Sequence, residues 1–405
     1  EHSGMKSLRF FAVLALIAGC RAGTPVAAAP GALEAPFDLV VLSTTDVHGR
    51  IRGWDYYADS AESGRGLTRA ATVIDSIRAA NPGRVLLVDA GDLLQGNPFA
   101  YVAMRQFADS LNPIVRAMNE LRYDAMAIGN HEFNFGVPYL ERAVAQASFP
   151  MLSSNTYKLD GTHKFRPWAI VERQGVKIGV IGATTPGVMV WDAANVAGRV
   201  RLGDILPAVR KSVEEARAAG AQVVVVVAHA GLNGPASYDT VATGLPGENV
   251  SSRIAAEIPG IDLVIYGHSH REQKGLMIGT TLLVQPKNWA TSVGVARLSL
   301  APEGGRWRVM SASGETIPVS GRAEHAGLLA ASATAHAATV AYTTAVVGTT
   351  PVAWPGDSAR LKDTPLVDLI LEVQRKATGA ELASTAAFTL DARLDPSAAP
   401  DTGSV

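Results

Sequence analysis

A single cysteine, Cys20, occurs among 405 residues. No disulfide can therefore form within the chain, and no zinc site built on several cysteines can exist. An excess of one charge is missing too: 36 Lys and Arg stand against 37 Asp and Glu, a formal net charge of −1. Binding to a phosphate backbone needs a concentration of basic side chains, so no nucleic-acid surface is expected. The low apolar content of a disordered chain is also absent, since 47% of the residues are hydrophobic, enough to bury a core. Long apolar runs are scarce. Residues 10–18 form one near the N-terminus, well short of the ~20 residues that a bilayer-spanning helix needs.

That short run has an order of its own. Met5-Lys6-Ser7-Leu8-Arg9 is basic, residues 10–18 are apolar, and Gly19-Cys20 follows, which is the arrangement of a secretory signal. Leu16-Ile17-Ala18-Gly19-Cys20 resembles the lipobox of bacterial lipoproteins. The resemblance implies cleavage before Cys20 and a lipid anchor on it, hence membrane association. An ordinary cleavable signal ending near Ala27-Ala28-Ala29 is the alternative. Both readings export the protein, to the periplasm or the cell envelope. Residues 1–19 are thus expected to be a signal peptide, 5–19 proper, with Glu1 to Gly4 a misplaced start or added segment, and 20–36 an Ala/Pro/Gly-rich tether.

Beyond the tether, short apolar runs alternate with helical patterns, which predicts an α/β fold. Strands are expected at 38–44, 85–89, 125–128, 176–181, 223–228 and 263–266, and helices at 67–80, 113–121, 137–146 and 205–219. The Val-rich runs lack polar alternation, so these strands should be covered on both faces. Residues 281–284 and 293–300 read as a pair of outer strands, and 302–305 as a break. An Ala-rich helix is expected at 323–343, a strand-like stretch at 344–353 and a helix at 364–378.

The chemistry follows the strands. Successive runs end in Asp46-Val47-His48, in Gly91-Asp92, in Gly129-Asn130-His131, in His229 and in Gly267-His268-Ser269-His270. Five of the nine histidines lie in these places. In open α/β sheets ligands bind beyond the carboxyl ends of the strands. If these segments are extended, the i and i+2 partners Asp46/His48 and His268/His270 project to one side, so each pair can reach one centre. Carboxylate, amide oxygen and imidazole without thiolate suit divalent cations of the Zn, Mn, Fe or Co type. Asp46, His48, Asp92, Asn130, His229, His268 and His270 are too many for one ion. They fit two, sharing a bridging carboxylate. Two divalent cations outweigh the two carboxylates, and the surplus positive charge suits metal-assisted hydrolysis of a phosphoester. Any one of these histidines alone is more simply a hydrogen-bonded structural residue; the set is not. His163 reads as a loop residue, and His325 and His336 as solvated or packing residues on the Ala-rich helix.

The same residues, in the same order, resemble the calcineurin-type metallophosphoesterases. The strings TTDVHG, DAGDLLQGNP, GNHEFNFG and YGHSH are similar to the exported 5′-nucleotidase group, which includes 2′,3′-cyclic-nucleotide 2′-phosphodiesterases with 3′-nucleotidase activity. The resemblance runs from about Phe37 to the end of the chain. It implies a four-layer metallophosphoesterase domain over 37–302, a linker with a helix over 303–343, and the N-terminal part of a 5′-nucleotidase C-terminal domain over 344–405. It further implies that Asp46, His48, Asp92 and His270 hold one metal and Asp92, Asn130, His229 and His268 the other. His131 would face the phosphate, stabilising charge or protonating the leaving oxygen. Asn134 stands where many 5′-nucleotidases have an aspartate that orients this histidine, and GNHEFN resembles the cyclic-phosphodiesterase branch. The family clamps the base between aromatic rings of its second domain, whereas here no aromatic follows Phe388, so an incomplete second domain is expected and Arg393 carries no assigned role. A monomeric hydrolase of 2′,3′-cyclic and 3′-nucleotides is therefore expected. A 5′-nucleotidase or UDP-sugar hydrolase, and a non-catalytic nucleotide-binding surface lipoprotein, are the alternatives.

Overall fold

Two six-stranded sheets stacked face to face organise the chain. The computed structural model describes residues 35–386 and 392–395, so the expected signal segment and Cys20 lie outside the described residues. Twelve strands make the two sheets: β1 (Phe37–Thr44), β2 (Val85–Asp89), β3 (Ala125–Ala127), β4 (Met151–Leu152), β5 (Trp168–Arg173), β6 (Val176–Thr184), β7 (Val223–His229), β8 (Leu263–Tyr266), β9 (Gln273–Ile278), β10 (Thr281–Gln285), β11 (Ser292–Glu303) and β12 (Arg306–Pro318). The first sheet runs β12-β11-β1-β2-β3-β4 and the second β9-β10-β8-β7-β6-β5. Within the first, β1 to β4 are parallel and β11 is antiparallel to β1; within the second, β10, β8, β7 and β6 are parallel. The parallel strands lie at the centre of the second sheet, whereas in the first they run from the middle to the edge strand β4.

The uninterrupted Val run of β7 shows why the layers form. Val223, Val225 and Val227 pack between the sheets against Leu39 and Val41 of β1 and Leu86 and Val88 of β2. Val224 and Val226 face outward onto Ile205, Val209 and Val213 of the helix Ile205–Ala218. A strand buried on both sides has no use for polar alternation. Each such side chain contributes roughly 1.5–3 kcal/mol on burial, so both layers draw on one strand. The outer face of the first sheet is covered by Leu67–Ala80, Pro113–Glu120 and neighbouring helices. Helices, two sheets and helices make the four expected layers.

Four expectations change. The stretches taken as paired outer strands sit in different sheets: β10 pairs with β8 and β9, and β11 with β1 and β12. A continuous apolar run marks β10 as a strand and an alternating one marks β11, but register alone decides their partners, and it is not visible locally. The break at 302–305 is a hairpin turn, after which β12 continues the first sheet to Pro318. The Ala-rich region forms two helices, Ala326–Ala331 and Ala333–Thr343, with Ser332 between them. They dock on the first layer: His325 Nε2 lies 3.1 Å from Asp75 Oδ2 of the helix Leu67–Ala80, and His336 Nδ1 lies 2.9 Å from the Tyr56 hydroxyl. Residues 344–353 form no strand. Only Trp354–Pro355 pairs there, with Arg393–Leu394, and the helix Pro365–Thr378 buries Leu366 alone.

Candidate metal centre

The carboxyl ends of β1, β2, β3, β7 and β8 converge; β7 delivers His229 as its own last residue, and the segments after the other four deliver the rest. Asp46, His48, Asp92, His268 and His270 all have positive φ, between 49° and 72°. The extended geometry expected for the i, i+2 pairs is therefore not what occurs. A left-handed non-glycine residue costs roughly 1–2 kcal/mol. Backbone hydrogen bonds between turns hold these residues there: Asp46 N–H to Gly91 O at 2.8 Å, His48 N–H to Asp92 O at 2.9 Å and Trp289 N–H to Asp46 O at 2.8 Å. Because the turns curl, His268 and His270 part company. His270 joins Asp46 and His48, and His268 joins Asp92 and His229.

The string from Gly91 to Pro98 shows how sequence builds one wall. Asn97 caps the helix Pro98–Gln106 by accepting the Ala100 N–H, with Pro98 in the first turn, where its missing N–H costs nothing. That fixes the preceding loop, whose Gln95 carbonyl accepts from His48 Nδ1 at 2.7 Å. Gly129, at the end of β3, is needed for space. A Cβ there would lie 2.5 Å from the Asp92 backbone nitrogen and collide with Asp92 Oδ1.

Proton bookkeeping tests whether these residues fit divalent cations. His229 Nδ1 donates to Ala90 O at 2.7 Å, which leaves Nε2 a lone pair in the neutral ring; yet Nε2 faces two acceptors, Asp92 Oδ2 and Asn130 Oδ1, each at 3.0 Å. His268 Nδ1 lies 3.1 Å from the same Asn130 oxygen. His48, its Nδ1 engaged by Gln95, turns Nε2 to His270 Nε2 at 3.0 Å, and His270 Nε2 is 3.4 Å from Asp46 Oδ1. Electron pairs pointing at one another need cations between them, and the donor types are those of divalent ions. Without them the protein compensates with protons. Burial works to lower the His229 pKa, but the Asp92 and Asp46 carboxylates overcome it and push it up to about 10. Burial works to raise both Asp46 and Asp92; for Asp46 His270 and His229 hold the carboxyl below its usual value, and for Asp92 His229 does so further still. His48, by contrast, is driven by burial down to about 4.

At the rim stands His131, its side chain 36% exposed. Its backbone N–H donates to Asp92 Oδ1 at 2.8 Å, its Nδ1 lies 2.6 Å from Asn134 Oδ1, and its Nε2 is 3.9 Å from Asp92 Oδ2. All nine residues singled out in the sequence thus meet in one cleft. His163 instead packs on Tyr157, and Arg393 pairs with Asp395 at the surface. Four contributors were not anticipated. Fully buried Glu132 accepts the N–H groups of Asp92, Leu93, Leu94 and Gly129. Asp192 bonds Asn134, Trp191 stacks on His268 at 5.6 Å, and Glu248 Oε2 lies 3.8 Å from His268 Nε2. Glu132 had a signal, being a charged residue inside the GNHE string with no exposed position. The other three have none near the motifs.

A sandwich of mostly parallel sheets whose strand ends gather carboxylate, amide and imidazole for paired divalent cations defines a class, the metal-dependent hydrolases of phosphoesters. Within it, the chain belongs to the calcineurin-like phosphoesterase family, whose model matches residues 39–272. Members of that family use a dinuclear divalent metal centre, and the described residues provide candidate clusters for one. The chain is 35% identical over 379 residues to the 2′,3′-cyclic-nucleotide 2′-phosphodiesterase/3′-nucleotidase of Yersinia enterocolitica, covering 86% of this chain and 57% of the relative. It is 31% identical over 378 residues to the trifunctional nucleotide phosphoesterase protein YfkN of Bacillus subtilis, covering 86% of this chain and 25% of the relative. The chain thus spans about half of one relative and a quarter of the other. The crystal structure of calcineurin-like phosphoesterase YfkN from Bacillus subtilis superposes with a TM-score of 0.70 at 31% identity, covering 76% of this chain and 99% of that one.

Proposed function

We propose that the protein hydrolyses nucleotide phosphoesters, acting as a 2′,3′-cyclic-nucleotide 2′-phosphodiesterase and 3′-nucleotidase. The observation that carries the hydrolytic reading is the lone-pair conflict at His229, Asn130 and Asp92 beside a partly exposed rim histidine whose Nε2 lies 3.9 Å from Asp92 Oδ2. The similarity to the Yersinia enterocolitica enzyme supports the substrate class. Asp46, His48, Asp92 and His270 would hold one cation of the Zn, Mn, Fe or Co type, and Asp92, Asn130, His229 and His268 the second, with Asp92 between. Bound there, the pair supplies Lewis acidity to water and to a phosphoryl group at neutral pH. Asp92 keeps the two halves of the set in register and orients the rim through its bond to the His131 N–H. His131 presents Nε2 to the cleft, where it can hold the proton required by a departing ribose oxygen. We also assign export to residues 5–19 and a lipid anchor to Cys20, on the order of basic, apolar and small residues there.

The test is phosphate release from 2′,3′-cyclic AMP, 3′-AMP and 5′-AMP by the protein loaded with Mn²⁺ or Co²⁺. Preference for the first two supports the proposal, and preference for 5′-AMP assigns the protein to the 5′-nucleotidases. Activity untouched by EDTA would remove the metal mechanism. Bound metal and nucleotide with no turnover would make it a binding protein. Globomycin-sensitive processing and incorporation of labelled palmitate, abolished by Cys20→Ser, test the anchor.

A further inference from the structure

Asp192 is a buried carboxylate with no cationic partner among the described residues. It occupies the N-cap position of the short helix Ala193–Val196, yet its side chain forgoes the helix N–H groups that a capping aspartate would take. Its oxygens instead accept from two asparagine amides: Asn134 Nδ2, at 2.9 Å to Oδ1 and 3.0 Å to Oδ2, and Asn195 Nδ2, at 3.1 Å to Oδ1. Asn195 Nδ2 also reaches the Asn134 carbonyl at 3.0 Å, which closes the bracket around Asn134.

The consequence is directional. A carboxylate accepts only, so Asn134 must turn its NH₂ to Asp192, and its Oδ1 must then face His131 Nδ1 at 2.6 Å. An oxygen acceptor there requires His131 to carry a proton on Nδ1, which leaves Nε2 as the atom offered to the cleft. An amide without the carboxylate behind it could turn over and present NH₂ to the ring, favouring the other tautomer. We propose that Asp192 is a positioning residue for His131, acting through the Asn134 amide to fix the ring's tautomer and orientation. The inference rests on the reading of His131 as the residue that faces the substrate. It adds a carboxylate, 58 positions further along the chain, to a site whose motif ends in asparagine.

Three variants decide it. Asp192→Asn keeps size and an acceptor oxygen, so a merely structural role would leave turnover intact. We expect kcat to fall about 10- to 100-fold with KM unchanged, because substrate contacts stay in place. The exchange Asn134→Asp with Asp192→Asn keeps the chain of donors and moves the carboxylate next to the ring, and should return most of kcat. In [¹⁵N]histidine-labelled protein, His131 should be a single tautomer with its proton on Nδ1 in the wild type and a mixture in Asp192→Asn. Wild-type kcat and an unchanged tautomer in Asp192→Asn, with urea denaturation confirming that it folds, would overturn the proposal; so would failure of the exchange to restore turnover. His131→Ala separates the two readings. If it keeps full turnover, the role of His131 is wrong, while the ¹⁵N spectrum still reports whether Asp192 sets the ring.

Discussion

Glu132 Oε2 accepts the backbone N–H of Asp92 at 2.9 Å, and Oε1 takes those of Leu93 and Leu94 at 2.6 and 3.0 Å. With Gly129 N–H at 2.7 Å, one buried side chain gathers four main-chain donors from two strand ends. Burial and the Asp92 charge push its carboxyl up, but four donors and no acceptor favour the ionised form. Glu132→Gln turns an NH₂ toward two N–H groups. Leaving buried donors unmet costs about 1–3 kcal/mol each, so the urea midpoint should fall markedly and bound metal should drop with it. An unchanged midpoint would show that the turn stands without this carboxylate.

Cation removal should show in stability and in protons. At a free cation concentration 100 times its dissociation constant, binding stabilises the fold by about 2.7 kcal/mol, so EDTA-treated protein should melt lower and recover with Mn²⁺. His229, raised to about 10 when no cation is bound, carries a proton at pH 7 that a ligand must release. Metal affinity should therefore rise with pH toward 10. Titration calorimetry in buffers of different ionisation enthalpy should detect close to one proton released at pH 7 on filling the site that contains His229; none released would contradict the His229 assignment.

Asp89 gives a pH signature of the metal-free fold. It is fully buried behind the centre, accepting from Thr44 Oγ1 at 2.5 Å and Gly91 N–H at 2.9 Å, and burial raises it to about 8. A carboxyl whose folded pKa lies above its unfolded one stabilises the fold fully below the unfolded value, about 3.9, and loses that contribution as pH rises through 8. Asp89→Asn should flatten the decline in stability between those limits and leave the acid side unchanged. Parallel declines in the two proteins would mean Asp89 is ionised throughout.

Gly129→Ala probes space rather than charge. The added methyl meets Asp92 Oδ1 and the Asp92 backbone nitrogen, neither of which can withdraw without breaking the bonds to Glu132 or His131. Turnover should fall at least about tenfold together with metal affinity, while circular dichroism remains that of the wild type.

Much of the site was legible because its ligands sit at the ends of apolar strands, where a charged residue has no packing role. β2 and β8, and the helices Leu67–Ala80 and Val137–Gln146, have the expected bounds, since their apolar periods carry the signal. The left-handed turns were not legible. They depend on hydrogen bonds between strand ends 44 and 45 positions apart, such as Asp46 N–H to Gly91 O and His48 N–H to Asp92 O, and an isolated Asp-Val-His gives no hint of them. Strand partners were hidden for the same reason: β10 and β11 are adjacent in sequence and lie in separate sheets. Asp192 was invisible because the partner that links it to the site, Asn134, lies far away in the chain.

The cleft draws Asp46, His48, Asp92 and Asn130 from the first sheet and His229, His268 and His270 from the second. A cation shared across that seam is a rivet through both plates of the sandwich. It cannot seat until the plates have met, and they cannot slide past each other while it is seated. Metal release and shear between the sheets are then one event, and an enzyme working where cations are scarce would carry its mechanical weakness in the same place as its chemistry.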